Sequence, residues 1–270
     1  LIMKNARGKM SLEVDYIVDR RKLKRRLSVW RILAIVLLAI LVVTSISNTN
    51  SGNYIARLSV TGLIIDDIER EYALKNLKED KEALALIVRI DSPGGTVVGG
   101  ENLYYQLKNF GQVKPVVAVM GSTATSAGYM IALGADHLIA REGSLTGSIG
   151  VLLQTADITS LLKKIGIKPE VIKSGPLKAQ PSPFEKTTQA ARGAIKSVVL
   201  DLYAMFVDIV AERRKMSPKA VRALADGRVY SGRQALANGL IDAIGSENEA
   251  LEWLHKTKKI PLNISVKDVV

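Results

Sequence analysis

Four hydroxyls fall within five positions of the stretch GSTATSAGYM (121–130): Ser122, Thr123, Thr125 and Ser126. The stretch follows the apolar run PVVAVM (115–120) and opens into SAGYMIALGA, which reads as helix. A strand that gives way to small residues and then a helix is where α/β proteins place a nucleophile or bind an anion. Ser126 stands where the helix begins, with Ala127 and Gly128 leaving its approach open; Ser122, Thr123 and Thr125 read as turn and groove residues. A serine nucleophile needs a base to take its proton. The two histidines are poor candidates. His137 opens HLIAR, a strand leading away from the turn, and His255 lies beside Lys256 in a polar C-terminal helix. A Ser-His-Asp triad is therefore poorly supported. With no cysteine in the chain, thiol nucleophiles, disulfides and cysteine-ligated metals are excluded. Two histidines also make a zinc site improbable, so neither metal nor cofactor is expected.

A lysine serves as base when it is neutral at the working pH. Bringing one from its ordinary ~10.4 to near 7 takes roughly 4 kcal/mol of differential desolvation. KSGPLKAQPSPFE (173–185) is a plausible carrier, with Lys178 in a stiff Gly/Pro loop after a strand. Spacing alone does not single Lys178 out from the other lysines. DSPGG (91–95) reads either as a tight turn or as a place where backbone N–H groups approach an oxyanion with no Cβ in the way. GSLTGSIG (143–150) is similarly open: Ser148 either donates to a buried lysine or caps a turn.

The elements that must carry these residues alternate along the chain. YIARLSVTGLI (54–64) reads as strand, IEREYALKNLKED (68–80) as amphipathic helix, and ALALIVRI (83–90) as a buried parallel strand ending in the DSPGG turn. VVGGENLYYQLKNF (97–110) follows as helix, then PVVAVM as strand, the Ser126 helix and the short strand HLIAR (137–141). GSLTGSIGVLL (143–153) is a glycine-rich turn into a strand, ITSLLKKIG (158–166) a helix and KPEVIKSG (168–175) a strand plus turn. Three prolines in 176–188 exclude continuous helix there. A long amphipathic helix spans about 190–214, a shorter one starts at Pro218, and a last one lies near 247–255. Repeated βα units predict an α/β domain with a mostly parallel sheet.

The net charge of +12 is unevenly spread: up to Arg31 ten basic residues face three acidic ones. The remainder carries an ordinary charge, and no nucleic-acid partner is expected. Directly after RRKLKRR (20–26) comes ILAIVLLAILVVTSIS (32–47), without charge. With Val29 and Trp30 it approaches the ~20 residues that cross a bilayer. The basic cluster places the N-terminus in the cytoplasm and everything after Ser47 outside. A cleaved signal peptide is the alternative, but TSISNTN shows no A-x-A-like site. SNTNSGN (47–53) is a linker. The expected layout is a basic segment 1–28, an anchor 29–47, a linker 48–53, one globular domain 54–260 and a tail 261–270.

RIDSPGG, GSTATSAGYMIALGAD, GSLTGSIGV, VIKSGPLK…SPF and ADGRVYSGRQALANGLID occur in that order. Together they resemble the signal peptide peptidase A family, membrane-anchored serine proteases of the Clp protease/crotonase superfamily, over about 54–245. The resemblance implies a Clp protease/crotonase-like α/β fold of repeated ββα and βα units behind one transmembrane helix. It implies a Ser/Lys dyad, with Ser126 as nucleophile, Lys178 as general base and Ser148 orienting the lysine. The oxyanion hole falls to backbone N–H groups at Gly95, Ser126 and Ala127. Ala127 stands where the family often has glycine, and Ala179 follows the lysine in place of an acidic residue. The implied substrates are cleaved signal peptides and similar apolar peptides. The implied assembly is a ring-shaped homo-oligomer whose sites are shared between adjacent subunits. A related membrane protease with one specific membrane-protein substrate, a crotonase-type acyl-CoA enzyme and a non-catalytic scaffold are the rival readings.

Overall fold

The computed structural model describes residues 25–40 and 52–269. Residues 25–40 form helix α1, exposed along its length, with Trp30, Ile35 and Leu38 among its apolar side chains. Among the described residues no helix is long and apolar enough to cross a membrane. The expected anchor 29–47 is described only as far as residue 40; its remainder, residues 1–24 of the basic segment and most of the linker lie outside the described residues. The chain from Asn53 onward is a separate unit.

That unit is built on an eight-stranded sheet in the order β6-β5-β3-β2-β1-β8, with β4 beside β3 and β7 beside β4. The strands are β1 (Tyr54–Ile64), β2 (Ala83–Gly95), β3 (Val116–Thr125), β4 (His137–Ala140), β5 (Leu145–Gly147), β6 (Val229–Ser231), β7 (Ala243–Ile244) and β8 (Ser265–Asp268). All pairings are parallel except β5 with β6. Helices α2 (Ile68–Glu79), α3 (Val97–Gly111), α4 (Ala127–Ala132), α5 (Thr159–Lys164), α6 (Gln189–Arg214), α7 (Pro218–Leu224), α8 (Gly232–Ala237) and α9 (Glu247–Lys258) fill the connections.

Strand periodicity sorts the core. Leu86, Val88 and Ile90 of β2 face the larger core, shared with Leu103 and Leu107 of α3, Met130 of α4 and Val207 and Val210 of α6. Ala85 and Ile87 face the other side, where Ala250 and Leu254 of α9 cover them. Side-chain caps set helix starts where the sequence offers hydroxyls or carboxylates: Asp67 accepts from Arg70 N–H (3.1 Å), Thr96 from Gly99 N–H (3.1 Å) and Thr188 from Ala191 N–H (3.1 Å).

The departures from the sequence reading gather around the motifs. DSPGG is the end of β2 and GSTAT the end of β3, because partners from elsewhere in the chain pair with both: Leu63 with Gly94, Ile64 with Gly95 and Thr125 with Gly147. The expected strand at 168–175 is absent, and the chain from Ile165 to Thr188 forms neither strand nor helix. The segment 261–270, set apart as a tail, supplies β8, which pairs with β1 from Tyr54 to Arg57. An Arg57 guanidinium shared by Asp268 and Glu247 ties that edge to α9.

Candidate active site

Ser126 occupies the single-residue joint between β3 and α4, with φ 55° and ψ −122°. Such backbone costs about 1–3 kcal/mol in a non-glycine residue and persists only where surrounding contacts hold it. Here they do. Ser126 N–H donates to Gly147 O at 2.9 Å, and Ser126 O accepts from Met130 N–H at 3.0 Å. Ala127 to Ala132 are all buried. The side chain is therefore presented on a rigid corner, partly open to solvent.

The hydrogen bond to Gly147 corrects one expectation. The Ser126 amide continues the β3–β5 ladder, so it is already engaged and does not stand free for an oxyanion. The amides of Gly95 and Ala127 remain as the candidate donors. A Cβ at Gly94 (φ +117°) would lie 2.8 Å from Ser126 Cβ and 3.2 Å from Ala127 N. A Cβ at Gly95 would meet the Ile64 carbonyl oxygen at 1.9 Å. Only a glycine pair lets this strand lie between β1 and the serine.

A cavity of about 780 Å³ opens in front of Ser126. Gly95, Ser148, Ile149, Leu152, Val199 and Tyr203 are among its walls, which are predominantly apolar. The structure thus brings together Ser126, Ser148 and Gly95. Ser148 also has a positive φ of 50°, and its N–H is held by Arg228 O at 2.9 Å, where β6 backs β5. Asp226 brings a carboxylate to the wall, and the hydrogen bonds it accepts from the Arg228 side chain and backbone hold it below the usual carboxylate range.

Lys178 is elsewhere. It lies in the turn that follows Gly175, exposed, and does not line the Ser126 cavity. Among the described residues its ammonium has no ion-pair or hydrogen-bonding partner. Its neighbour Lys173 pairs with Glu185 and so ties the two ends of the loop together. The histidines are structural, as the sequence suggests. His137 stacks on Trp253 (4.8 Å between centroids) with Asp242 at 3.7 Å, and His255 Nδ1 lies 2.9 Å from Ile260 O. Among the described residues no group of histidine and carboxylate side chains could hold a metal ion.

Sequence reasoning missed Asp226, Tyr203 and Val199, which reach the cavity through the α6–α7 layer. It also misjudged Thr125. This side chain is 6% exposed and donates to Pro93 O at 3.0 Å, so it is a buried tie to the glycine strand. Its place one residue before the serine was the only available signal.

Residues 108–261 match the model of Peptidase family S49, a stretch that includes Ser126, Ser148 and Lys178. A putative protease of Synechocystis is 41% identical over 207 residues, covering 76% of this chain and 74% of that protein. A putative signal peptide peptidase SppA of Enterococcus faecium is 36% identical over 224 residues, covering 78% of this chain and 65% of its own length. Among solved structures, a mutant of the 1510-N membrane-bound stomatin-specific protease superposes with a TM-score of 0.53 at 16% identity. That alignment covers 82% of this chain and 99% of the other, and shows a shared mixed α/β fold.

Proposed function

The chain belongs to peptidase family S49, and from that premise we propose a membrane-anchored serine endopeptidase that works with a Ser126/Lys178 dyad shared between copies of the chain. One observation carries this reading. Ser126, Ser148 and Gly95 line a single apolar cavity, while Lys178 lies exposed outside it. A serine site complete except for its base, and a lysine without a partner among the described residues, are complementary halves. In the proposed ring, each loop from 165 to 188 enters the neighbouring cavity, and the packing removes the lysine from water.

The reaction follows from these positions. Neutral Lys178 takes the proton of Ser126 Oγ as the oxygen attacks the scissile carbonyl carbon. The resulting oxyanion accepts from the Gly95 and Ala127 amides. The intermediate collapses, the C–N bond breaks, and Lys178 returns the proton to the leaving amine. Lys178 then takes a proton from water as it attacks the acyl ester, and returns that proton to Ser126 Oγ as the ester C–O bond breaks, freeing the serine. Ser148 orients the lysine from the cavity wall. The apolar lining suits apolar peptides, and the Enterococcus relative's name supports cleaved signal peptides as substrates. With the anchor at 29–47, the catalytic unit stands on the extracytoplasmic side of the membrane.

The test uses the full chain in detergent with a fluorogenic apolar peptide. Ser126→Ala and Lys178→Ala each lower the rate by about 10⁴-fold or more. Randomly mixed rings of the two variants recover about a quarter of the wild-type sites, because half the serines and half the lysines are intact. Full activity in Lys178→Ala removes the lysine from the mechanism. Two inactive variants that stay inactive when mixed place both members of the dyad in one subunit.

A further inference from the structure

Two buried hydroxyls that the proposed chemistry does not consume grip the same peptide group. Thr125 Oγ1 donates to the Pro93 carbonyl at 3.0 Å. Ser92, fully buried, accepts from the Gly94 N–H at 3.0 Å and donates onward to the Gly62 carbonyl at 2.5 Å. The carbonyl of Pro93 and the N–H of Gly94 are the two ends of one peptide unit. That unit directly precedes the Gly94–Gly95 peptide, which carries the Gly95 N–H, and Thr125 directly precedes Ser126.

The local ladders are irregular next to this segment. The β1–β2 register shifts between Thr61 and Leu63, and the β2–β3 register shifts between Ile90 and Ser92. The strand thus reaches the nucleophile just past an interruption on each side, with pairing resumed at Leu63–Gly94, Ile64–Gly95 and Ser92–Ala124. Consecutive glycines add softness, since neither carries a Cβ to restrict its peptide planes. An oxyanion donor contributes fully only when it is already aimed at the position the charge will occupy. The two hydroxyls hold the peptide next to the donor in addition to the resumed ladder.

We propose that Thr125 and Ser92 are positioning residues, a hydroxyl clamp that sets the angle of the Gly95 amide relative to Ser126 and so preorganises the oxyanion hole. The clamp rests on the reading of Ser126 as nucleophile. Neither hydroxyl touches substrate; both act through the Pro93–Gly94 peptide. Thr125 also couples the two halves of the site, because its backbone fixes the strand end that carries the serine while its side chain fixes the strand that carries the donor.

The experiment uses the full chain in detergent, with active serines counted by a phosphonate that labels Ser126. Thr125→Val keeps the shape of the side chain and deletes the donor. It lowers kcat per labelled site about tenfold and leaves KM within about twofold. It also weakens a peptide aldehyde, whose hemiacetal oxygen occupies the oxyanion position, by about the same tenfold factor. Thr125→Ser, which restores the donor, recovers both values. Ser92→Ala gives the same pattern without altering residue 125, so the proposal stays testable if the valine chain does not assemble. In the double variant the two losses do not multiply, because both act on one peptide. Fewer labelled sites with an unchanged kcat per site would show a structural role only and overturn the clamp, as would Thr125→Ser behaving like Thr125→Val. Absence of turnover in the wild-type chain would instead defeat the catalytic reading itself.

Discussion

The corner at Ser126 and the loop that carries Lys178 are both irregular backbone, yet they are built in opposite ways. Around Ser126 the neighbours are buried, the glycine strand leaves no room for a Cβ, and backbone and hydroxyl hydrogen bonds lock a positive φ. The lysine loop shows a different economy. Ile165, Ile167, Val171, Ile172, Leu177 and Phe184 are all at least 46% exposed. Apart from local turn hydrogen bonds, its restraints include the Lys173–Glu185 pair and a bond from Ile158 N–H to Pro183 O. Apolar side chains gathered in one exposed segment are the surface that the proposed neighbour would cover. The serine corner is thus held within one chain, whereas in the proposed ring the lysine loop acquires its surroundings on association.

The sharpest way to break this contrast is on the serine side. Gly95→Ala places a Cβ against the Ile64 carbonyl oxygen, where only 1.9 Å is available, so the strand must move and take its amide with it. We expect kcat per active serine to fall by about 10²–10³-fold, the loss seen when one oxyanion donor is removed. A rate within twofold of wild type would show that the corner tolerates movement and is not rigid. On the lysine side the effect is smaller. Lys173→Met unties the loop and leaves Glu185 unpaired, costing about 1 kcal/mol, or about fivefold in the population of the tied loop. The expected readout is a similar fall in kcat/KM together with faster amide exchange confined to 165–188, while amides of α4 keep their protection. Exchange that quickens equally in α4 would erase the distinction between the two regions.

A third, weaker test concerns pH. Burial holds the His137 imidazole below its ordinary range, against the opposing pull of Asp242. The folded state therefore binds this proton less readily than the unfolded chain, whose histidine titrates near ~6.5. The associated stability is present above that value and is lost as pH falls through the lower folded value. Tm should drop as the pH is lowered from about 7.5 to 5, and His137→Phe, which retains the stack on Trp253, should flatten that slope. An identical slope in the variant would assign the acid sensitivity to other groups. Because β4 belongs to the rigid half, the test asks whether acid loosens the serine corner before the lysine loop.

Much of this arrangement is legible in the chain. The run ALALIVRI, read as a buried parallel strand, lies in β2, and the long helix expected from 190 to 214 runs from Gln189 to Arg214. Ser126, Ser148 and Gly95 were drawn from separate motifs and meet at one cavity. The misreadings share a cause. DSPGG and GSTAT have the composition of turns, but each is strand because a partner arrives from elsewhere: Leu63 and Ile64 beside the first, Leu145 to Gly147 beside the second. KPEVIKSG has the composition of a strand, but among the described residues none pairs with it. Local composition reports what a segment prefers, and pairing depends on what lies next to it.

The sequence by itself determined the chemistry on offer: a serine in a chain without cysteine and with two poorly placed histidines, a lysine in a Gly/Pro loop, glycines in DSPGG and a charge-free run behind a basic cluster. These are properties of residue type and order, and they are written directly in the chain. The tertiary structure decided how those groups are used. It engaged the Ser126 amide with Gly147, closed Thr125 and Ser92 on one peptide and left Lys178 outside the cavity its chain encloses. Each of those outcomes depends on where segments distant in sequence come to lie, which no local pattern encodes.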